Sequence, residues 1–433
     1  VEFFETEASG GIVLIVATLV ALAWANSGFQ QSYHDLWHTK IGFGWGDHKL
    51  VLDLHHWIND GLMAVFFLLV GLEIKREVLA GELASLRKAA LPAMAALGGM
   101  VVPAAVYAVL NREGAGQAGW GIPMATDIAF AIGVLMLLGS RVPIGLKIFL
   151  TALAVVDDLG AVMVIAIFYT AQLDWMWLLL GLATVVFLFL LPRIRVTRRS
   201  AFLVAGVFVW FCFLKSGVHA TVAGVLVALA IPLRAPIPNP GAALGELAEL
   251  GGSLRDRELG PDPADEEHRT LVLQRVHDLA DKSASPLYHL EHALGPWVSY
   301  GIMPVFALAN AGVVLDGDAL AGVFREPVPL GILLGLVIGK QLGITGFSWL
   351  AVRLGWASLP SRVGWGMLHG AAILGGIGFT MSIFIANLAF REPALLDEAK
   401  MGVLVASFVA ALLGMALLLF VTRGERGKEV SSA

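Results

Sequence analysis

Four ionisable side chains fall inside stretches that are otherwise apolar: Asp127, Asp157, Asp158 and Lys340. The run around the adjacent pair reads Leu150-Thr151-Ala152-Leu153-Ala154-Val155-Val156-Asp157-Asp158-Leu159-Gly160-Ala161-Val162. A helix needs roughly 20 apolar residues to cross a bilayer, which puts the pair near the centre of an expected span. Each ionised carboxylate there costs roughly 3 kcal/mol on insertion scales, and more by other estimates. All four groups left charged and unpaired would cost roughly 10–14 kcal/mol, about the whole stability of a folded domain. They must therefore pair, take up protons, bind an ion or face water. One Asp–Lys bridge leaves two carboxylates, which need protons or a cation. A proton and a cation at the same acid exclude each other, and that exclusion is the minimum an ion exchanger requires.

The ligands on offer are carboxylates, hydroxyls and backbone carbonyls, hard oxygen donors suited to hard cations. The apolar stretches hold no His/Cys cluster for a transition metal. A small monovalent cation exchanged against protons is the simplest fit, and no cofactor is expected. Adjacent residues on a helix point about 100° apart. One of Asp157 and Asp158 can thus line an ion path while the other faces Lys340, which lies too far from either end of its stretch to snorkel.

The elements that must position these groups are membrane helices. Of 433 residues, 58% are hydrophobic and 15% charged, against roughly 25% charged in soluble domains; mean hydropathy is +0.79. About twelve spans are expected, so the fold class is an all-α polytopic membrane protein within one transmembrane domain, 1–433. The first six are Gly10–Asn26, Trp57–Leu79, Ala89–Leu110, Ile122–Leu138, Leu146–Thr170 and Trp175–Leu191. The last six are Phe202–Leu214, Val218–Ile231, Leu294–Val314, Pro329–Leu350, Trp365–Leu388 and Gly402–Phe420. With the N-terminus inside, the inner segments carry 21 Lys and Arg and the outer ones 7, which by the positive-inside rule puts both termini in the cytoplasm. A net charge of −5 gives no reason to expect nucleic acid, and the single Cys212 excludes an internal disulfide. The N-terminus lacks a basic n-region, so no cleavable signal peptide is expected.

Two extramembrane features stand out. An outer loop, about residues 43–52, flanks a Gly46-Asp47 turn with apolar runs and reads as a hairpin. Residues 234–289 form an extended cytoplasmic loop. From Pro238 to Ser285 it holds ten Asp/Glu against five Lys/Arg, which favours a flexible insertion over a solvated amphipathic helix at Asp265–Lys282.

The fourth and eleventh spans carry helix-weakening residues beside hydroxyls: Pro123-Met124-Ala125-Thr126-Asp127 in one, Gly375-Gly376-Ile377-Gly378-Phe379-Thr380 in the other. Glycine costs about 1 kcal/mol in a helix. Transporters built from inverted repeats use such interrupted helices to aim backbone dipoles at an ion. Spans 3–5 and 10–12 would be the two halves, with the interrupted spans 4 and 11 in matching positions and crossing.

The motifs Thr126-Asp127-Ile128-Ala129-Phe130, Val155-Val156-Asp157-Asp158-Leu159-Gly160, Ser216-Gly217-Val218-His219-Ala220-Thr221 and Gly378-Phe379-Thr380-Met381-Ser382 resemble the bacterial NhaA Na+/H+ antiporter family. So do Gly71-Leu72-Glu73-Ile74-Lys75-Arg76-Glu77 and Phe306-Ala307-Leu308-Ala309-Asn310-Ala311-Gly312. The likeness runs in order along nearly the whole chain; the family is itself an example of the inverted-repeat architecture. It implies an inner-membrane exchanger of Na+ or Li+ against protons, electrogenic and pH-regulated. It implies Asp158 as the principal cation and proton carboxylate, and Asp157 as a neighbour bridged to Lys340 when the ion is absent. Asp127 and Thr126 would lie at the break of the fourth helix, where Asp127 balances opposed helix-end dipoles. Glu73, Arg76, Glu77, His219 and Glu291 match positions linked to pH response at the cytoplasmic side. The outer hairpin matches a homodimer contact.

One departure concerns Glu291-His292-Ala293-Leu294-Gly295, with glycine where the family often has a second histidine; the long loop before it is another. The plainer alternatives are a capping role for Thr126 and a structural one for His219 and the Glu73–Glu77 cluster. Rival functions are a cation channel, an organic-anion symporter and an intramembrane aspartyl protease; for the protease, no Gly-x-Gly-Asp motif lies within a span, the one at Gly44-Trp45-Gly46-Asp47 being in the outer loop.

Overall fold

The computed structural model describes residues 2–45, 48–170, 173–194, 196, 199–233, 240–256, 269–276 and 285–431. Six helices are long and apolar enough to cross a membrane: Leu54–Ala80, Leu86–Leu110, Ile144–Phe168, Arg199–Ser216, Pro327–Arg353 and Pro393–Arg423. They are the second, third, fifth, seventh, tenth and twelfth spans. The first span, Ser9–Ala25, is followed by the helix Gln30–Trp37 after a 117° turn. The fourth is the bent pair Ala115–Met124 and Ile128–Leu137, and the eleventh the bent pair Trp365–Leu374 and Phe379–Ala389. The shorter helices Trp175–Leu190 and Thr221–Ala230 are the sixth and eighth. The ninth runs over 286–310 through a π turn at Val298–Ile302. These match the twelve expected spans one for one.

Helix starts follow the capping residues. Asp53 accepts from His56 N at 2.8 Å, Asp174 from Met176 N at 3.0 Å and Ser285 from Tyr288 N at 3.4 Å, each satisfying a backbone donor the helix leaves orphaned. The ninth span begins eight residues before the expected Leu294, because Ser285 caps it and Pro286 occupies its first position, where proline is favoured.

Without a hydrophobic force between helices in lipid, packing depends on small residues that let backbones approach. The third and tenth spans meet in this way. A Cβ on Gly98 would overlap the Gly343 carbonyl oxygen, and a Cβ on Gly343 would overlap that of Gly98. The contact is reciprocal, as a two-fold relation between the halves starting at these spans would produce. A second core joins the second, sixth, seventh, eighth and ninth spans through Leu72, Leu188, Phe202, Val227 and Leu287.

The hairpin forms as expected: β1 (Lys40–Trp45) pairs antiparallel with β2 (His48–Asp53), Phe43 opposite Leu50. The long loop differs from expectation. Pro240–Asp256 is helical, as is 269–276, and Arg275 bridges the two through Glu246 at 2.9 Å. The Ala/Leu/Glu run of Ala242–Leu250 favours helix, a propensity the acidic composition had masked. Of the Asp265–Lys282 helix, the alternative to a flexible insertion, 269–276 is observed, and its remaining residues lie outside the described ones.

Candidate ion-binding site

Both interrupted spans break where the sequence weakens them, with bends of 44° and 45°. The breaks lie against each other. Thr126 donates its hydroxyl to Gly375 O at 2.8 Å, and Asp127 N donates to Ile377 O at 2.7 Å. Those two carbonyls belong to the chain leaving Trp365–Leu374, where no helix partner remains. In return Ser382 donates its hydroxyl to Ile122 O at 2.7 Å. Each broken strand of backbone thus satisfies the other, which is how irregular backbone is tolerated at membrane depth.

Asp127 serves both restarting helices. Its Oδ1 accepts from Phe130 N at 2.9 Å, capping Ile128–Leu137. Its Oδ2 accepts from Thr380 N at 3.1 Å and from the Thr380 hydroxyl. One carboxylate therefore faces the positive ends of two half-helices, a favourable placement for negative charge. Phe379 N is taken up by Ser407 Oγ at 3.0 Å. Thr126 acts as a capping hydroxyl, and its partner lies 249 positions away. Thr380 and Ser407 were missed as site residues. Thr380 stood within a quoted motif; Ser407 showed only as a hydroxyl in an apolar span.

The adjacent aspartates, both buried, separate as the helix geometry demands. Asp157 Oδ2 accepts from Lys340 Nζ at 2.6 Å, and both side chains have no solvent exposure. Lys340 follows directly on a π turn at Gly335–Gly339. Asp158 points elsewhere, onto a cavity of about 40 Å³ shared with Asp127, Glu73, Ser299 and Met381. Its Oδ1 is buried without a hydrogen-bond partner among the described residues. A site needs about 10–15 Å³ to hold one water, so the cavity accommodates a small, partly hydrated cation. The carboxylates of Asp158 and Asp127, both among the lining residues, are the hard donors such an ion takes.

Gly10, Glu73 and Ser299 also line the cavity. They lead toward the end of the bundle where Arg76 bridges Glu291 at 2.5 Å and Glu77 at 3.0 Å. Glu73, Arg76, Glu77 and Glu291 are thus grouped at one end. His219 is a correction to the expected cluster. It sits at the opposite end, in the link before Thr221, with its ring Nε2 2.8 Å from Tyr169 O. An odd-numbered span delivers Tyr169 and the seventh span delivers His219 to the same face, the one bearing the hairpin. Asp60 is on that face too, its carbonyl accepting from Trp210 Nε1 at 2.7 Å.

Comparison with known proteins agrees with this geometry. The family model described as Na+/H+ antiporter 1 matches residues 1–418. The Na+/H+ antiporter NhaA of Oleidesulfovibrio alaskensis is 54% identical over 425 residues, covering 98% of this chain and 94% of that one. The NhaA of Acidithiobacillus ferrooxidans is 48% identical over 98% of this chain and 97% of its own length. NhaA 1 of Clostridium beijerinckii is 45% identical over 96% and 94%. With its helical spans, crossed breaks and buried carboxylates, the chain belongs to the NhaA family of Na+/H+ antiporters, inner-membrane proteins that exchange Na+ for H+.

Proposed function

We propose that the protein is a secondary active transporter working by alternating access, with Asp158 carrying Na+ (or Li+) and protons in turn. The observation that supports this most is the division of labour between neighbours: Asp157 is bridged to Lys340, while Asp158 lines the cavity and makes no salt bridge among the described residues. A buried carboxylate left bare costs several kcal/mol. Asp158 is therefore always occupied, by a proton or by a cation. Na+ arriving through the cavity displaces its proton, and a second proton leaves from Asp157 or Lys340 as their bridge rearranges. The Lys/Arg-rich ends, with Glu73, Arg76, Glu77 and Glu291, face the cytoplasm, as do both termini. The cavity then opens inward.

Two protons for one Na+ move one net charge per cycle. The membrane potential then contributes about 2.3 kcal/mol per 100 mV to Na+ extrusion. In proteoliposomes, a Na+ gradient is expected to drive an electrical current together with proton flux. Proton flux without current would contradict the stoichiometry, and current without coupled proton flux would indicate a channel.

The pH response follows from Glu291, which lies on the first turns of the ninth helix before the apolar stretch. Burial pushes its carboxyl above the ordinary value, against the pull of Arg76. Folding into this conformation therefore favours the protonated acid. The stabilisation is full below the ordinary glutamate value and is lost as pH rises through the raised one. Alkalinisation adds a negative charge beside Glu77 and Arg76, loosening the inner end. Glu291→Gln, which keeps the neutral charge of the protonated acid, is expected to move the activity profile to more alkaline pH and flatten its rise; an unshifted profile would remove Glu291 from the response.

The two-stranded hairpin leaves strand edges unpaired, which suits pairing with a second copy. Deleting residues 43–52 should convert the homodimer to monomers on size-exclusion chromatography with light scattering; unchanged mass would exclude that contact.

A further inference from the structure

Outward of the ion site lies a cluster of amides that the exchange chemistry does not use. Asn387, on the second half of the eleventh span, donates from Nδ2 to Asn310 Oδ1 at 2.6 Å. Asn310 ends the ninth span, and its own Nδ2 donates to Asn59 Oδ1 and to Phe306 O, both at 3.0 Å. His55 Nε2 is 3.0 Å from the same Asn310 Oδ1, and Asn59 Nδ2 is 3.1 Å from His55 Nδ1. One neutral tautomer satisfies both ring nitrogens: Nε2–H donates to Asn310 while Nδ1 accepts from Asn59. The cluster thereby ties the second and ninth spans to the eleventh.

Three observations give it a transport role. The cavity at Asp158 is lined by Glu73, one helical turn from the Arg76–Glu291 bridge at the opposite end of the bundle, so alternating access requires a closure on this side. Asn59 lies in a π turn, Trp57–Leu62. The other two described π turns carry Ser299 at the cavity wall and lead directly into Lys340, and such turns occur frequently at functional sites. Asn387 Oδ1 is buried without a partner among the described residues, leaving an acceptor ready for a new bond when the eleventh span shifts. Single amide hydrogen bonds contribute little net stability, which suits a contact that must open each cycle.

We infer that His55, Asn59, Asn310 and Asn387 form the outer gate of the transport path, opening between Asn310 and Asn387 to admit external protons and release Na+. The inference rests on Asp158 as the carrier. Its test is a reversible lock. In a Cys212→Ser background, Asn310→Cys and Asn387→Cys are joined by a short thiol cross-linker containing a cleavable disulfide. Cross-linking is expected to abolish Na+/H+ exchange in proteoliposomes, and reduction to restore it. Na+-induced proton release from the detergent-solubilised, cross-linked protein should persist, because the inner cavity still reaches Asp158. Exchange that continues under complete cross-linking would overturn the gate, as would loss of proton release with the lock in place. Proton release missing from the reduced protein as well would instead sink Asp158 as carrier. A second variant avoids the double substitution. Asn387→Ala removes one net hydrogen bond from the closed gate and should tighten apparent affinity for external Na+ by about two- to tenfold. Unchanged external affinity would equally overturn the assignment.

Discussion

Asp158→Asn is expected to abolish Na+-driven proton movement in proteoliposomes, with less than about a hundredth of the parent rate remaining, while the protein stays folded. The side chain is nearly isosteric and neutral, so the desolvation cost of the buried charge disappears and stability should hold or rise. What is lost is chemistry. An amide neither releases a proton near neutral pH nor supplies the negative charge that Na+ needs in a cavity of about 40 Å³. The neighbouring Asp157 cannot substitute, because its Oδ2 is committed to Lys340 at 2.6 Å and its direction around the helix differs by about 100°. Exchange retained at a tenth or more of the parent rate would refute the site.

Lys340→Ala has the largest expected effect on stability. It leaves the Asp157 carboxylate buried with no counter-charge, and breaking a buried pair from one side typically costs about 3–5 kcal/mol. Thermal unfolding in detergent should occur at a markedly lower temperature. Removing both partners, Asp157→Asn with Lys340→Ala, should recover much of the loss, since neither charge is then stranded. If the pair supplies the second proton, the double variant exchanges one proton for one Na+ and its current vanishes while proton flux continues. A double variant as unstable as Lys340→Ala alone would show that the bridge is not the source of the cost.

The sequence revealed most where physics leaves few choices. Charges in an apolar helix must be compensated, so Asp127, Asp157, Asp158 and Lys340 could be named from composition alone, and adjacency separated the roles of the pair. Pro123 and the Gly375–Gly378 run marked both breaks because such residues weaken a helix wherever it folds. The family resemblance, not the spacing, assigned which aspartate carries the ion. What stayed hidden were partners distant in sequence. Thr380 reaches Asp127 across 253 positions, and the asparagine cluster joins three spans through residues that are individually unremarkable polar side chains near helix ends. His219 was placed with the wrong group because its matching motif carried no information about which face its helix reaches; the odd or even count of spans did. The loop helix at Pro240–Asp256 was obscured by reading acidic composition over a longer window than the helix itself.

The mutual exclusion of Na+ and protons at one carboxylate is tested most directly by Na+ binding to the solubilised protein as a function of pH. Competition by one proton predicts that the apparent Kd for Na+ rises about tenfold for each unit of acidification below the titration of the site, with protons released on Na+ addition. Competition by two protons steepens the dependence toward a hundredfold. A Kd that does not change between pH 6 and about 8.5, with no proton release, would contradict the account.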